Sequence, residues 1–166
     1  LPLRWYSIPN VFRYERPQSG RYRQHHQLGV EVLGFDEPAI DVEIIDLLAG
    51  FYRDLGLHSV RLVINTMGDL ASRANYREVL LDYWRDLADV LGDEMTRAER
   101  NPLRILDSKR PDWQPLIAAA PKLPEHLSEA AAERFESVQV GLNAIGIEFA
   151  VEPTLVRGLD YYTSTL

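Results

Sequence analysis

Phe12-Arg13-Tyr14-Glu15-Arg16-Pro17-Gln18-Ser19-Gly20-Arg21-Tyr22-Arg23-Gln24-His25-His26-Gln27 reads as two strands joined by a turn, with Arg16 to Arg21 as the connection. Proline and glycine punctuate that connection, and the flanks at 5–15 and 22–35 alternate as a β-hairpin does. Alternate side chains of a strand share a face. Arg13 therefore goes with Glu15, and Phe12 with Tyr14. In the second strand Gln27, Gly29 and Glu31 share one face, while Leu28, Val30 and Val32 form the opposite, apolar one. A polar–glycine–polar face backed by aliphatic side chains suits the floor of a small polar ligand's site, with Gly29 leaving room and Gln27 and Glu31 as walls.

The hairpin is also where the charge is anomalous. Residues 1–24 hold five arginines (Arg4, Arg13, Arg16, Arg21 and Arg23) and one carboxylate, Glu15, in a chain of formal net charge −7. That local surplus of four leaves −11 for the rest, and it calls for an anionic ligand or for internal carboxylates. The first lysine is Lys109. Arginine in place of lysine favours phosphate or carboxylate, whose geometry its planar fork matches.

Bulk composition excludes several classes. At 166 residues and 46% hydrophobic, the chain can bury one sizeable core with a small appended lobe. A pI near 5.1 argues against a dedicated duplex-binding protein. There is no cysteine, hence no disulfide scaffold or thiolate metal site. His25, His26, His58 and His126 show no zinc-like spacing, so no protein-bound metal is expected. No apolar run approaches the roughly 18 residues of a membrane span, and no signal peptide opens the chain, which makes the cytoplasm the default. Leu1 to Tyr6 and Tyr162 to Leu166 both look like strand interior, as in a piece of a longer protein.

Downstream, Asp36-Glu37-Pro38 opens a helix whose apolar stripe is Ile40, Ile44, Leu47, Leu48, Phe51 and Leu55, ended by Gly56. A strand follows at 59–65, then a long amphipathic helix from Gly68-Asp69 to about Leu91, stopped by Gly92. Residues 93–127, with Pro102, Pro111, Pro115, Pro121 and Pro124, read as short helices and loops of an inserted lobe. Ser128 caps a helix that runs to about Ile145 and ends at Gly146. Residues 146–151 return to the sheet, and 155–163 look like a strand broken at Gly158.

Two of these segments carry a resemblance. Phe12 to Gln18, Gly20 to Gln24 and Gln27 to Glu31 resemble motif 2 of the class II aminoacyl-tRNA synthetases, in its histidyl form. Leu155-Val156-Arg157-Gly158-Leu159-Asp160-Tyr161-Tyr162-Thr163 resembles the histidine-specific motif of the same family. Between them, Ala74-Asn75-Tyr76-Arg77 and Asn101 to Lys109 are similar to its insertion domain. The resemblance implies an α+β fold: the antiparallel sheet of a class II catalytic core, flanked by helices and interrupted by a mostly helical insertion. Residues 1–68 and 147–166 would belong to the core, and residues 69–146 to the insertion lobe. Motif 1, the Thr-Pro-Glu loop, motif 3 and the anticodon-binding domain lie outside this chain, which alone would be inactive.

The resemblance also implies a chemistry. Histidine attacks the α-phosphorus of ATP (which enters with Mg2+) to give histidyl-adenylate and pyrophosphate, and the histidyl group then passes to tRNA(His). Two anions meet in the first step, so catalysis is positioning and electrostatics. By resemblance Arg13 and Arg157 flank the α-phosphate, Glu15 orients the adenine, and Arg21 and Tyr22 lie along the nucleotide. Glu31 would accept from the imidazole N–H, Tyr161 or Tyr162 would meet the other ring nitrogen, and Gln27 would meet the amino end, while Arg157 also borders the histidine. The full-length protein would be a homodimer with no membrane partner.

Each piece alone has a plainer meaning: an Arg–Glu pair on a strand is usually a solvated surface pair, Gln27-Gly29-Glu31 an exposed strand face, and Tyr161-Tyr162 core packing. His25 and His26 read as structural or solvent-facing. The nearest rival is the synthetase-like, histidine-sensing regulatory subunit of ATP phosphoribosyltransferase. The arginine-rich loop and the Asn101–Lys109 run oppose it. A non-catalytic pseudo-synthetase module would lack one of Arg13, Glu15, Gln27, Glu31, Arg157 or Tyr162, and none is lacking.

Overall fold

The computed structural model describes residues 3–156 and 162–166. The hairpin forms as expected, in two ladders: β1 (Leu3–Ser7) with β4 (Gly29–Leu33), and β2 (Asn10–Phe12) with β3 (Gln24–His26), both antiparallel. The register is shared. Ser7 faces Gly29, Asn10 faces His26, and the intervening Gln27 N–H donates to the Pro9 carbonyl. The pairing thus runs through the Ile8-Pro9 interruption without a slip, and odd-numbered residues of both strands stay on one face. Beyond β2 the Arg13 N–H donates to Arg23 O at 2.8 Å, and Gln18 and Arg21 close the turn with Gly20 at φ +73°.

The even-numbered face looks toward α1 (Pro38–Asp54). α1 starts behind Glu37 with proline in its first turn, and Gly56, at φ +76°, lies just past its end. Its expected stripe does not become a core. Ile44, Leu47, Leu48 and Phe51 line an open groove of about 630 Å³ with Tyr6, Leu28, Val30 and Val32, and Leu47 stays 53% exposed. A bidentate Arg4–Glu43 pair (2.7 and 2.9 Å) crosses the groove, both side chains well solvated. The other side of α1, with Val42 and Ile45, packs instead on a small core of Ile64, Phe135, Val138 and Leu142.

That core is built on α7 (Glu129–Ala144) and on β5 (Leu62–Ile64), which pairs with β6 (Phe149–Val151) in parallel, unlike the hairpin strands. The whole lobe lies between β5 and β6 in sequence, a crossover long enough to bring the chain back in the same direction. α7, which the sequence groups with the inserted lobe, lies along α1. A Cβ at Gly141 would stand 2.8 Å from Val42 Cγ2, so the two helices approach where one has no side chain.

The larger core belongs to the lobe. α2 (Leu70–Asp86) buries Ser72, Tyr76, Leu80 and Trp84, a strict four-residue stripe. The single long helix expected to Leu91 is broken: α2 ends at Leu87, and α3 (Ala88–Leu91) begins afresh, so that Leu91 turns into the core and Leu87 packs against it. α4 (Met95–Arg100), α5 (Leu103–Leu106) and α6 (Gln114–Ala119) follow, with short 3-10 turns between, as the prolines foretell. Leu103, Ile105, Leu106, Trp113, Ile117 and Leu123 fill the centre around Trp84. Its indole N–H donates to Pro102 O at 3.1 Å, and Tyr76 donates its hydroxyl to Pro121 O at 2.9 Å. Burial holds the Tyr76 phenol well above its ordinary pKa, with the Glu125 charge adding to the shift. No helix among the described residues is long and apolar enough to cross a membrane.

Candidate active site

The continuous register aligns the hairpin's candidate residues. Arg13, His25, Gln27, Gly29 and Glu31 all project from the odd-numbered face, away from α1, with Trp5 opposite Glu31 and Ser7 opposite Gly29. A side chain at Gly29 would only reach van der Waals distance of Ser7 Oγ (3.4 Å), so the space above it is open. Gln27 and Glu31 are exposed, with no side-chain partner among the described residues, as a ligand floor requires.

The arginine surplus resolves unevenly. Arg21 pairs with Glu15, and Arg4 with Glu43. Arg13, Arg16 and Arg23 have no carboxylate partner among the described residues. The half-buried Arg13 guanidinium lies against the His25 ring: Nη2 is 2.7 Å from Nε2 and 3.3 Å from Nδ1. Arg23 reaches the Glu15 carbonyl at 3.3 Å and lies over the Tyr14 ring. Glu15 and Arg21, which the resemblance places at the adenine and along the nucleotide, hold each other on the exposed turn beside an exposed Tyr22. His25, read from sequence as structural or solvent-facing, is half-buried on this face and lies against Arg13, a contact the sequence reading did not anticipate. Its alternation with Arg13 and Gln27 is the signal that could have found it.

The histidine-specific segment comes from the far end of the chain. Arg157 and Tyr161 lie outside the described residues. Of the rest, Leu155, Val156, Tyr162 and Thr163 are not in strands; Val156 is buried in the lobe core, and Tyr162 packs against that core. Asn65, wholly buried, donates through Nδ2 to the carbonyls of Leu155 (2.8 Å) and Pro153 (3.3 Å). Ser164 to Leu166 pair with the extension of β5 through Met67 N to Ser164 O (2.7 Å) and reciprocal Asn65–Leu166 bonds. Next to Val156, Arg97, Arg104, Arg110 and Trp113 help line a second groove of about 740 Å³, with Arg110 stacked on the Trp113 ring. Glu94 pairs with Arg97 and Asp112 with Arg110, while Arg104 has no carboxylate partner among the described residues.

The lobe's two connections to the core meet in one knot. Asp69 caps α2 through Oδ1, which accepts from the N–H and hydroxyl of Ser72 at 2.7 Å each. Its Oδ2 accepts from the Ser128 hydroxyl at 2.5 Å, and Ser128 N–H donates to Ser72 Oγ. Ser128 also caps α7 by accepting from Ala131 N–H. These donors, Ser128 first, hold the Asp69 carboxyl down at about 2.

The model of the histidyl-tRNA synthetase family matches residues 1–166, the entire chain. The chain belongs to that family. Among its relatives, the histidine–tRNA ligase of Limosilactobacillus fermentum is 49% identical over 166 residues, covering 99% of this chain and 38% of the relative. That of Thermosynechococcus vestitus is 51% identical over 162 residues, covering 97% and 38% respectively. The crystal structure of the apo Staphylococcus aureus histidyl-tRNA synthetase superposes with a TM-score of 0.75 at 34% identity, over 99% of this chain and 38% of that one. The chain thus spans little more than a third of the synthetases it matches, and the α+β architecture of hairpin, flanking helices and helical lobe is theirs.

Proposed function

We propose that a full-length protein carrying this chain is a histidine–tRNA ligase, and that the odd-numbered face of the hairpin forms one wall of its adenylation site. The observation that carries this reading is the file of Arg13, Gln27, Gly29 and Glu31 on one open sheet face, in a chain of this family, with Arg13 unmatched by any carboxylate among the described residues.

In the reaction, a histidine carboxylate oxygen bonds to the α-phosphorus of ATP, the bond from that phosphorus to the bridging oxygen breaks, and pyrophosphate leaves with the electron pair. Arg13 donates to the α-phosphate oxygens as charge builds there, with Arg157 as its counterpart. Glu15 and Arg21, already paired, part to meet the adenine and the phosphate tail, with Tyr22 beside the nucleotide. Glu31 accepts from the imidazole N–H, Tyr161 and Tyr162 serve its other nitrogen, and Gln27 meets the amino group. An amino acid unable to pair these groups leaves them unsatisfied, which discriminates by roughly 10⁴–10⁵. Mg2+ enters with ATP as part of the substrate and supplies charge neutralisation on the phosphates. The homodimer and the cytoplasmic setting belong to the same reading.

Transfer to tRNA(His) follows. The arginine-lined groove beside Val156 suits its phosphodiester backbone, the only polyanion the reaction requires besides ATP. Histidine-dependent exchange of pyrophosphate into ATP tests the first step. Binding of histidine without exchange would favour the regulatory subunit of ATP phosphoribosyltransferase instead.

A further inference from the structure

The residues bracketing 157–161 both pack on the core of the helical lobe. Val156 is only 5% exposed and is part of the lobe's core, while Tyr162 and Leu166 pack against that same core. A polar contact holds the second foot: Arg73, on the first turn of α2, donates from Nη1 to the Tyr162 carbonyl. Arg73 is itself placed by the knot that joins the lobe to the core. It follows Ser72, and its N–H donates to the Asp69 carbonyl at 3.0 Å. An unbroken polar path therefore runs from the lobe's hinge (Asp69, Ser72, Ser128) through Arg73 to the backbone of Tyr162.

From this geometry we infer that Arg73 is a positioning residue for the histidine subsite, and that the lobe, through it, sets how tightly the amino acid is held. Arg73 acts here through the Tyr162 main chain. A guanidinium on a main-chain carbonyl orients the Tyr162 peptide, and with it the direction of the tyrosine side chain that the proposed reaction uses. The ATP subsite on the hairpin has no such connection, since Arg13 meets His25 and Glu15 meets Arg21. The hairpin groups that would bind ATP are thus left in place and the KM for ATP is expected to hold, while Arg157, carried on the same segment and acting as charge builds on the α-phosphate, would register any disturbance in kcat.

This inference rests on the ligase reading and is tested in the full-length protein by steady-state pyrophosphate exchange. Arg73→Met keeps the aliphatic stem and removes the donors. It is expected to raise the KM for histidine on the order of tenfold, the worth of one charge-assisted hydrogen bond, while the KM for ATP stays within about twofold. Arg73→Lys, which retains a cationic donor, is expected to recover most of the loss. Thermal unfolding of each variant establishes that it is folded at the assay temperature, and Arg73→Gln replaces Arg73→Met if the latter does not fold. An unchanged histidine KM, or a parallel rise in both KM values, overturns the inference. Absence of histidine-dependent exchange in the unsubstituted protein would overturn the ligase reading itself, a distinct result.

Discussion

Arg13 sits where a cation is held without being neutralised. His25 orients its guanidinium through a ring nitrogen but contributes no negative charge, so the full charge stays available to an incoming phosphate. Arg13→Ala in the full-length protein is expected to lower the rate of histidine-dependent exchange by about 10²–10³, roughly the 3–4 kcal/mol that one preorganised donor supplies to a transition state. Thermal stability should change little, since no carboxylate loses its partner. Asp69 illustrates the opposite case, a charge held by three donors. Its folded pKa of about 2 lies below the usual 3.9 of an unfolded aspartate. The carboxylate's contribution is thus complete above about pH 4 and is lost as pH falls through about 2. Asp69→Asn is expected to flatten the dependence of Tm on pH across that window, measured against the unsubstituted chain; an unaltered acid limb would remove Asp69 from the joint.

Among elements, the contact between α1 and α7 depends on Gly141 most directly. Valine there would drive a branched side chain against Val42, an overpacking that costs about 1–3 kcal/mol. For a chain of this size that lowers Tm by about 2–4 °C for each kcal/mol, measurable by calorimetry. The lobe groove yields a separate expectation. Arg104→Glu should raise the KM for tRNA in aminoacylation and reduce its salt dependence, while leaving exchange of pyrophosphate intact.

Much of this layer was legible in the sequence, for physical reasons that can be named. Pro38, Gly56, Ser128 and Gly146 mark helix ends because they carry the geometry of those ends, and they stand where helices start and stop. The alternation of Gln27, Gly29 and Glu31 gave the polar face because the ladder keeps its register. Four features were not legible. The break at Leu87 carries no glycine or proline and arises from the need to bury Leu91. The parallel pairing of β5 with β6 and the packing of α7 on α1 are set by which surfaces meet, which local periodicity does not encode. Asn65 and Arg73, which hold the backbone near the two ends of the histidine-specific motif, act on carbonyls, and carbonyl contacts leave no pattern in side-chain spacing.

At the scale of the whole molecule, the residues the proposed reaction would use come from two ends of the chain, one set carried on the hairpin and the other beside the core of the lobe. The hairpin presents Arg13, Gln27 and Glu31 on one face, while the lobe core holds Val156 and packs against Tyr162, so on the proposed reading the stretch between β5 and β6 would help frame the histidine side of the site. The chain spans 38% of the relatives it matches, and the activity is therefore a property to be measured on the full-length protein. The decisive measurement is ATP–pyrophosphate exchange by that protein across the amino acids. The account predicts exchange with histidine alone, abolished to within about 10²–10³ of its rate by Arg13→Ala. Histidine binding with no exchange, or exchange undiminished by Arg13→Ala, would contradict it.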